Sequence, residues 1–275
     1  MDDAQVKGYT HSVASTADKF IRDIDQFIDI SEMAVSHQLL VAQPSKTKLS
    51  ATAAFASSYI LGFVLCAYAK CDLATRQSFY QAISGHTWFS TSASNIFQTG
   101  VLLWSHYSPA GELILCNPTE VHLTYPVRVL KIPACRENMA FLFKAEDLGH
   151  IATFTLPVCL VPVSQTFATV DAIVLTKDCV ITVQMTVTSR PDAKSIGFQR
   201  IYEGLPSKFL QERIWCHVFL TDTEDKAESL QKLQVEAVEG NGIHVYSAFI
   251  NMDKLDSIIT SDRAEKLKDD IVSRY

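Results

Sequence analysis

Two polar side chains interrupt apolar runs within the stretch Phe167 to Val187, and they are the first candidates for a chemical role in this segment. Asp171 breaks the first run and Gln184 breaks the second. Runs rich in Val, Ile and Thr on either side of a short polar segment predict a β-hairpin. If the loop is symmetric about Lys177 and Asp178, Asp171 lies directly opposite Gln184, with Cβ atoms roughly 4.5–5.5 Å apart.

The alternation of side chains along the second strand places Thr182, Gln184 and Thr186 on one face of the sheet. The first strand is apolar on both faces except at Asp171, which is typical of a strand inside a covered sheet. A lone buried carboxylate costs free energy unless a cation or hydrogen-bond donors compensate it. We therefore expect Asp171 to have such a partner.

Two further polar residues are candidates for the same site. Gln98 lies on a helix predicted before the sheet, and Lys194 lies in the first turn of the helix predicted after the hairpin. Metal-dependent phosphodiester hydrolysis requires an Asp, a second oxygen ligand and a nearby Lys. The oxygens hold Mg²⁺, which activates water, and the Lys stabilises the charge of the phosphorane. The alternative is a buried Asp–Gln–Thr cluster that satisfies its own hydrogen bonds.

Other catalytic motifs are not found in the sequence. His217 lies in a strongly apolar run and is interpreted as a hydrogen-bonded core histidine. No Ser-His-Asp or His-Cys set is recognisable by local motif. The patterns GxxxxGK[ST] and GxGxxG are both missing, so no nucleotide cofactor is expected.

Composition places the chain among ordinary globular proteins. Its 275 residues are 48% hydrophobic and 20% charged. The formal net charge of −6 argues against non-specific nucleic-acid binding through bulk charge, although a local basic groove is compatible with it. The seven Cys residues are scattered without a CxxC pair, so we interpret them as small buried hydrophobes in a reducing, intracellular compartment.

Membrane association is not expected from the sequence. The N-terminus lacks the charged and then apolar layout of a signal peptide. Residues 51–69 are uncharged but contain hydroxyl groups, a glycine and many alanines, so a buried helix is favoured over a membrane span.

Helices that could position the site dominate the first part of the chain, and strands follow. Helical periodicity or capping residues predict helices at residues 13–31, 51–70, 72–83 and 92–106. Strands are predicted at 112–116, 126–132, 152–163, in the hairpin, at 214–220 and at 243–249. Further helices are predicted at 192–202, 224–235 and 253–273. This order favours an α/β fold with helices on both faces of a sheet.

Four segments of the chain resemble the C-terminal domains of fungal Crinkler-type and retrotransposon-hot-spot-type proteins. They are RQSFYQAISGHTWFSTSASNIFQ (76–98), TFATVDAIVLTKDCVITVQMTVTSRPDAKSIGF (166–198), IWCHVFLTD (214–222) and IHVYSAF (243–249). The resemblance covers roughly residues 75–250. It implies a restriction-endonuclease-like fold of the PD-(D/E)xK superfamily with an αβββαβ core. We therefore expect an N-terminal helical extension (1–74), this domain (75–250) and a C-terminal helix (251–275) packed on the core or trailing it.

The same resemblance implies roles for five residues. Asp171 corresponds to a metal ligand, and Gln184 and Thr186 correspond to a Q-x-T version of the acidic-x-lysine pair. Gln98 stands where the family has a glutamate, and Lys194 corresponds to a lysine displaced to the following helix. With Asp171 the one certain anion, Mg²⁺ binding is expected to be weak, because affinity follows the charge of the ligands.

Two functions of different classes follow from these expectations. The first is a Mg²⁺-dependent endodeoxyribonuclease, acting as an effector or toxin inside a cell, in the cytoplasm or nucleus of a host. The second is a catalytically degenerate nuclease fold that binds a host protein or nucleic acid. A plain scaffold domain is a third interpretation, because a fold transfers more safely than an activity.

Overall fold

The computed structural model describes most of the chain in segments. They are residues 3–28, 38–44, 51–107, 110–114, 129–133, 139–142, 147–150, 155–162, 170–188, 195–207, 213–231 and 243–272. The chain forms two compact units, of which the first comprises residues 1–100 and 252–275 and the second residues 101–251. This boundary falls later than the one expected from the sequence, and the C-terminal segment belongs to the first unit.

The first unit is mainly helical. Its elements are α1 (Asp3–Arg22), α2 (Ile24–Ile28), β1 (Leu40–Pro44), β2 (Ala51–Phe55), α3 (Ser58–Lys70), α4 (Leu73–Gly85), most of α5 (Ser90–Tyr107), α8 (Met252–Asp256) and α9 (Ser261–Val272). The side chain of Ser57 caps α3 by accepting the Ile60 amide at 3.2 Å. Asp72 caps α4 in the same way, with the Thr75 amide at 2.8 Å. These polar caps explain where the two helices begin.

Close approach of two helices fixes the packing of this unit. A Cβ atom at Gly62 on α3 would lie 2.8 Å from Cγ of Lys268 on α9, so the contact requires the missing side chain. The Lys268 ammonium lies 5.3 Å from the centre of the Phe63 ring. Beneath, the Phe20 ring packs edge-on against Phe79 at 5.3 Å. The apolar α3 is thus a buried helix.

Three helix predictions in this unit require correction. The helix predicted at 13–31 begins earlier, at Asp3, and a break at Asp23 divides it into α1 and α2. Residues 51–70 are not one helix, because Ala51–Phe55 pairs with β1 as an antiparallel strand before α3 begins at Ser58. The terminal helix predicted at 253–273 is two helices, with a break at residues 257–260. The guanidinium of Arg76 takes the carbonyl oxygens of Asp256 and Ile259, which a continuous helix would need for its own hydrogen bonds.

The second unit is built on a mixed sheet. Its elements are β3 (Ala110–Ile114), β4 (Val129–Pro133), β5 (Met139–Leu142), β6 (Val158–Pro162), β7 (Ala172–Leu175), β8 (Cys179–Met185), α6 (Ser195–Gly204), β9 (Ile214–Thr221), α7 (Glu224–Gln231) and β10 (His244–Phe249). Six strands form the sheet in the order β10-β9-β8-β7-β6-β5, and β3 pairs with β4 separately. β7 runs antiparallel to both neighbours, whereas β8, β9 and β10 are mutually parallel. The predicted mixed α/β class is confirmed.

Helices α6 and α7 pack on the same face of this sheet. Each connects one parallel strand to the next in the same direction, and right-handed crossovers then place both on one side. Phe198 and Ile201 of α6 and Leu230 of α7 join sheet residues such as Ile173 and Phe219 in one buried cluster. Fully burying side chains of this size contributes about 1.5–3 kcal/mol each. We call this side of the sheet the covered face.

Candidate functional site

The hairpin formed by β7 and β8 has the register predicted from its sequence. Ala172 pairs with Val183 and Leu175 with Val180, so the next positions along the ladder are Asp171 and Gln184. The amide of Thr176 closes the turn by donating to the Cys179 carbonyl at 2.9 Å. The opposition of an acid and an amide at the open end of the hairpin is therefore confirmed.

Asp171 caps the end of the β7–β8 ladder. Its amide donates to the Val183 carbonyl at 2.8 Å, and its carboxylate Oδ2 accepts the Met185 amide at 2.7 Å. Loss of hydration raises the pKa of the Asp171 carboxyl to about 6, although the hydrogen bond from Met185 acts in the opposite direction. The expected donor is thus a backbone amide, and within the described residues the second oxygen, Oδ1, receives no hydrogen bond.

Gln184 places a polar atom in the sheet without a partner. Its Oε1 is buried and, in the described part of the chain, accepts no hydrogen bond. A buried acceptor left in this state costs about 1–3 kcal/mol. Such an atom in a native protein is a signal for a ligand or for a second arrangement of the side chain.

Thr186 uses its hydroxyl in a local turn just after β8. Its Oγ1 accepts the Thr188 amide at 3.1 Å and lies 3.0 Å from the Thr188 hydroxyl. The Thr186 amide donates to the Leu220 carbonyl of the neighbouring strand at 2.9 Å. These bonds give Thr186 a structural task at the end of the strand, and its predicted part in the site stays a prediction.

The structure does not test the other two predicted residues. Gln98 is partly buried on α5 and belongs to the first unit, whereas Asp171 and Gln184 belong to the second. Lys194 lies outside the described residues, immediately before α6 begins at Ser195. Their expected roles therefore stay predictions.

His217 is the hydrogen-bonded core histidine that the sequence predicts. It is fully buried on β9, and its Nδ1 lies 3.0 Å from the Thr182 hydroxyl. The rings of Phe198 and Phe219 pack edge-on against the imidazole, with centroids at 4.6 and 4.7 Å. Burial lowers the pKa of His217 to about 3, so the ring is neutral at physiological pH. Its Nε2 is buried without a partner among the described residues.

Sequence reasoning missed an ion pair near the site. Asp222 follows β9 directly and is buried, and its carboxylate oxygens accept Lys226 Nζ at 2.7 and 3.0 Å. Because the carboxyl ends of β8, β9 and β10 meet at one edge of the sheet, this pair lies at the edge that carries Gln184. Ligands of α/β sheets bind at this edge, so an acid directly after a buried strand was the signal that could have found it.

The donor atoms at this edge fit a hard cation with few protein ligands. Asp171 Oδ1 and Gln184 Oε1 are oxygens of the kind that Mg²⁺ prefers. Across the described segments, no group of three or more His, Cys, Asp or Glu side chains has metal-binding geometry. Weak Mg²⁺ binding by one carboxylate and one amide therefore stays a prediction.

Two predictions about the whole chain can be compared with the described residues. No helix in the described ranges is long and apolar enough to cross a membrane. Cys66, Cys71, Cys159 and Cys216 are buried, Cys179 is partly exposed, and among the described residues none of the five forms a disulfide.

Comparison with known proteins gave no relative. No family model, no curated protein and no solved structure matches this chain.

Proposed function

We propose that the second unit is a nuclease-like effector module with a PD-(D/E)xK-type fold, acting by divalent-cation-dependent hydrolysis of DNA phosphodiesters. The observation that carries this proposal is the opposition of Asp171 to Gln184, whose Oε1 is buried without a partner among the described residues. Within the second unit the run β6, β7, β8, α6, β9 supports it, because it has the βββαβ part of the αβββαβ order that the resemblance implies.

Each residue has a separate chemical role in this proposal. Asp171 Oδ1 and Gln184 Oε1 hold the cation, while Asp171 Oδ2 stays bonded to the Met185 amide and fixes the carboxylate. A bound Mg²⁺ polarises a phosphoryl oxygen and lowers the pKa of a water ligand. Lys194 stabilises the negative charge that develops on the phosphorane.

Lys226 lies at the edge of the sheet that carries Gln184. It lies in the first turn of α7, and Asp222 holds its ammonium. The ion pair is largely screened from water, because the Asp222 side chain is 3% exposed and that of Lys226 is 27% exposed. In the proposal the exposed part of the Lys226 side chain contacts the DNA backbone, and Lys194 serves the reacting phosphate.

The decisive experiment uses Asp171→Asn in the full chain. Asparagine keeps an oxygen for the Met185 amide but removes the charge that holds the cation. We expect plasmid cleavage in Mg²⁺ or Mn²⁺ to fall on the order of 100-fold, since several kcal/mol of charge stabilisation are lost. Asp178→Asn, on the exposed turn of the same hairpin, is the matched control and should cleave like the wild type.

The outcome also decides between the two functions considered. Wild-type protein that cleaves neither plasmid nor oligonucleotide with any divalent cation contradicts the nuclease proposal. The hydrogen bond from the Met185 amide favours the second candidate in that event, because it gives Asp171 a structural reason to exist. The proposal that then remains is a degenerate nuclease fold that binds DNA or a host protein.

A further inference from the structure

Two buried acceptors belong to diagonal neighbours on the covered face. Thr182 of β8 pairs with His217 of β9, and Gln184 lies two residues further along β8 on the same face. Such diagonal neighbours have Cα atoms roughly 7–8 Å apart, a distance that long side chains span. Gln184 Oε1 and His217 Nε2 are both buried, and neither has a hydrogen-bond partner among the described residues.

The contacts of Thr182 determine which nitrogen of His217 carries the proton. The hydroxyl Oγ1 lies 3.3 Å from Trp215 Nε1, 3.3 Å from the Cys216 carbonyl and 3.0 Å from His217 Nδ1. Its single proton can satisfy all three contacts only when it is donated to the carbonyl. The indole N–H and an Nδ1–H then both donate to Oγ1. In this tautomer Nε2 is a bare acceptor.

Two acceptors cannot bond to each other, but the carboxamide offers a donor as well. A half-turn of the Gln184 carboxamide exchanges Oε1 for Nε2, which carries two protons. Gln184 as a residue is partly exposed although its Oε1 is buried, so the same half-turn brings Oε1 out of the buried position. One rotation thus provides His217 with a donor and provides a cation beside Asp171 with an oxygen.

We propose that His217 is a positioning residue: in the cation-bound state its Nε2 accepts an N–H of the Gln184 carboxamide and thereby holds Oε1 toward the cation beside Asp171. The inference rests on the proposed cation site. Ser247 Oγ, which is buried on β10 without a partner among the described residues, is the competing donor to Nε2.

A matched pair of substitutions at His217 tests the proposal. His217→Asn keeps a polar group where Nδ1 meets Thr182 but removes the acceptor at Nε2, whereas His217→Gln retains an acceptor near Nε2. We expect the Kd of the full chain for Mn²⁺, measured by calorimetry, to rise roughly tenfold in His217→Asn, which corresponds to one lost hydrogen bond. His217→Gln should stay near the wild-type value.

Nuclear magnetic resonance provides a measurement that a purely structural role would not change. In the wild type, adding Mg²⁺ should shift the side-chain amide signals of Gln184 and move the His217 Nε2 signal toward that of a hydrogen-bonded acceptor. Ser247→Ala should leave both shifts in place. This measurement uses the wild type and one small substitution, so it decides the question even where both His217 variants fail to fold.

Three results would overturn the inference. If His217→Asn binds Mn²⁺ as tightly as the wild type, and if Mg²⁺ does not shift the Gln184 amide signals, the role of His217 is overturned while the cation site stands. Loss of the Nε2 shift in Ser247→Ala assigns the donor to Ser247 instead. If the wild-type protein binds no Mn²⁺, or if Asp171→Asn leaves its Mn²⁺ affinity unchanged, the proposed function is overturned and the inference fails with it.

Discussion

Asp171 combines a structural bond with an oxygen that is available for chemistry. Its Oδ2 replaces a backbone carbonyl as the acceptor of the Met185 amide at the end of the ladder. The sequence led us to expect a compensating partner for this carboxylate, and the structure identifies one. The pairing is local, because turn length alone sets the register of a short hairpin.

The raised pKa of Asp171 predicts a pH-dependent stability in the absence of divalent cations. Its folded-state pKa of about 6 lies above the ordinary value of 3.8, so folding favours the protonated acid. Its contribution to the free energy of unfolding is greatest below about pH 4 and declines as the pH rises through 6. The change is on the order of 3 kcal/mol.

Urea unfolding at pH values between 4 and 7.5, with EDTA present, measures this contribution. Asp171→Asn should remove the decline, because asparagine does not titrate and still accepts the Met185 amide. A wild-type protein whose difference from Asp171→Asn is constant across this range would contradict the raised pKa.

At the scale of elements, one buried hydroxyl on β8 makes three contacts with the parallel strand β9. Thr182 Oγ1 contacts the Trp215 indole, the Cys216 carbonyl and the His217 ring. The strands themselves were predictable from their apolar runs and β-branched residues. That β9 lies beside β8 depends on the crossover through α6, which the sequence pattern of a hairpin does not specify.

Thr182→Val tests what this hydroxyl contributes to stability. Valine has nearly the same shape but leaves the Trp215 and His217 N–H groups buried without an acceptor, so we expect the free energy of unfolding to fall by roughly 2–4 kcal/mol. Thr182→Ser retains the hydroxyl and should lose less than about 1 kcal/mol. Equal loss in both variants, measured by urea unfolding, would assign the effect to packing of the methyl group instead.

At the scale of the whole molecule, the C-terminal segment is held to the first unit by Arg76. Its guanidinium donates to the carbonyls of Ala69 at 2.6 Å and Cys71 at 2.9 Å, at the end of α3. It also donates to those of Asp256, the last residue of α8, at 3.1 Å and of Ile259, in the break before α9, at 2.9 Å. One side chain therefore satisfies carbonyl groups of two chain segments that are distant in sequence.

Arg76→Met should loosen that segment selectively. Four hydrogen bonds from a charged group are lost, so we expect local opening to become easier by roughly 2–4 kcal/mol. Hydrogen exchange read by mass spectrometry should show faster exchange of residues 252–272, with β8 and β9 unchanged. Arg22→Met, which removes an exposed ion pair with Asp18, is the control and should exchange like the wild type.

The sequence by itself determined the local features of this protein. The mixed α/β class, the hairpin and the opposition of Asp171 to Gln184 follow from side-chain alternation and turn chemistry, which act over a few residues. The helix predicted at 51–70 was wrong at its start because Ala51–Phe55 pairs with β1, and alanine-rich runs form helices unless such a partner strand is present.

Only the tertiary structure decided which distant residues meet. The break between α8 and α9 depends on Arg76, the burial of Gln184 Oε1 depends on the covered face, and the Asp222–Lys226 pair joins the site edge through parallel strands. The break and the burial are set by contacts between residues far apart in sequence, whose geometry no local pattern specifies. The Asp222–Lys226 pair is itself local, and only its place at the site edge depends on the packing of the parallel strands. A hydrogen-bond donor or acceptor is recognisable from its residue type, but whether it is satisfied depends on the packed neighbours.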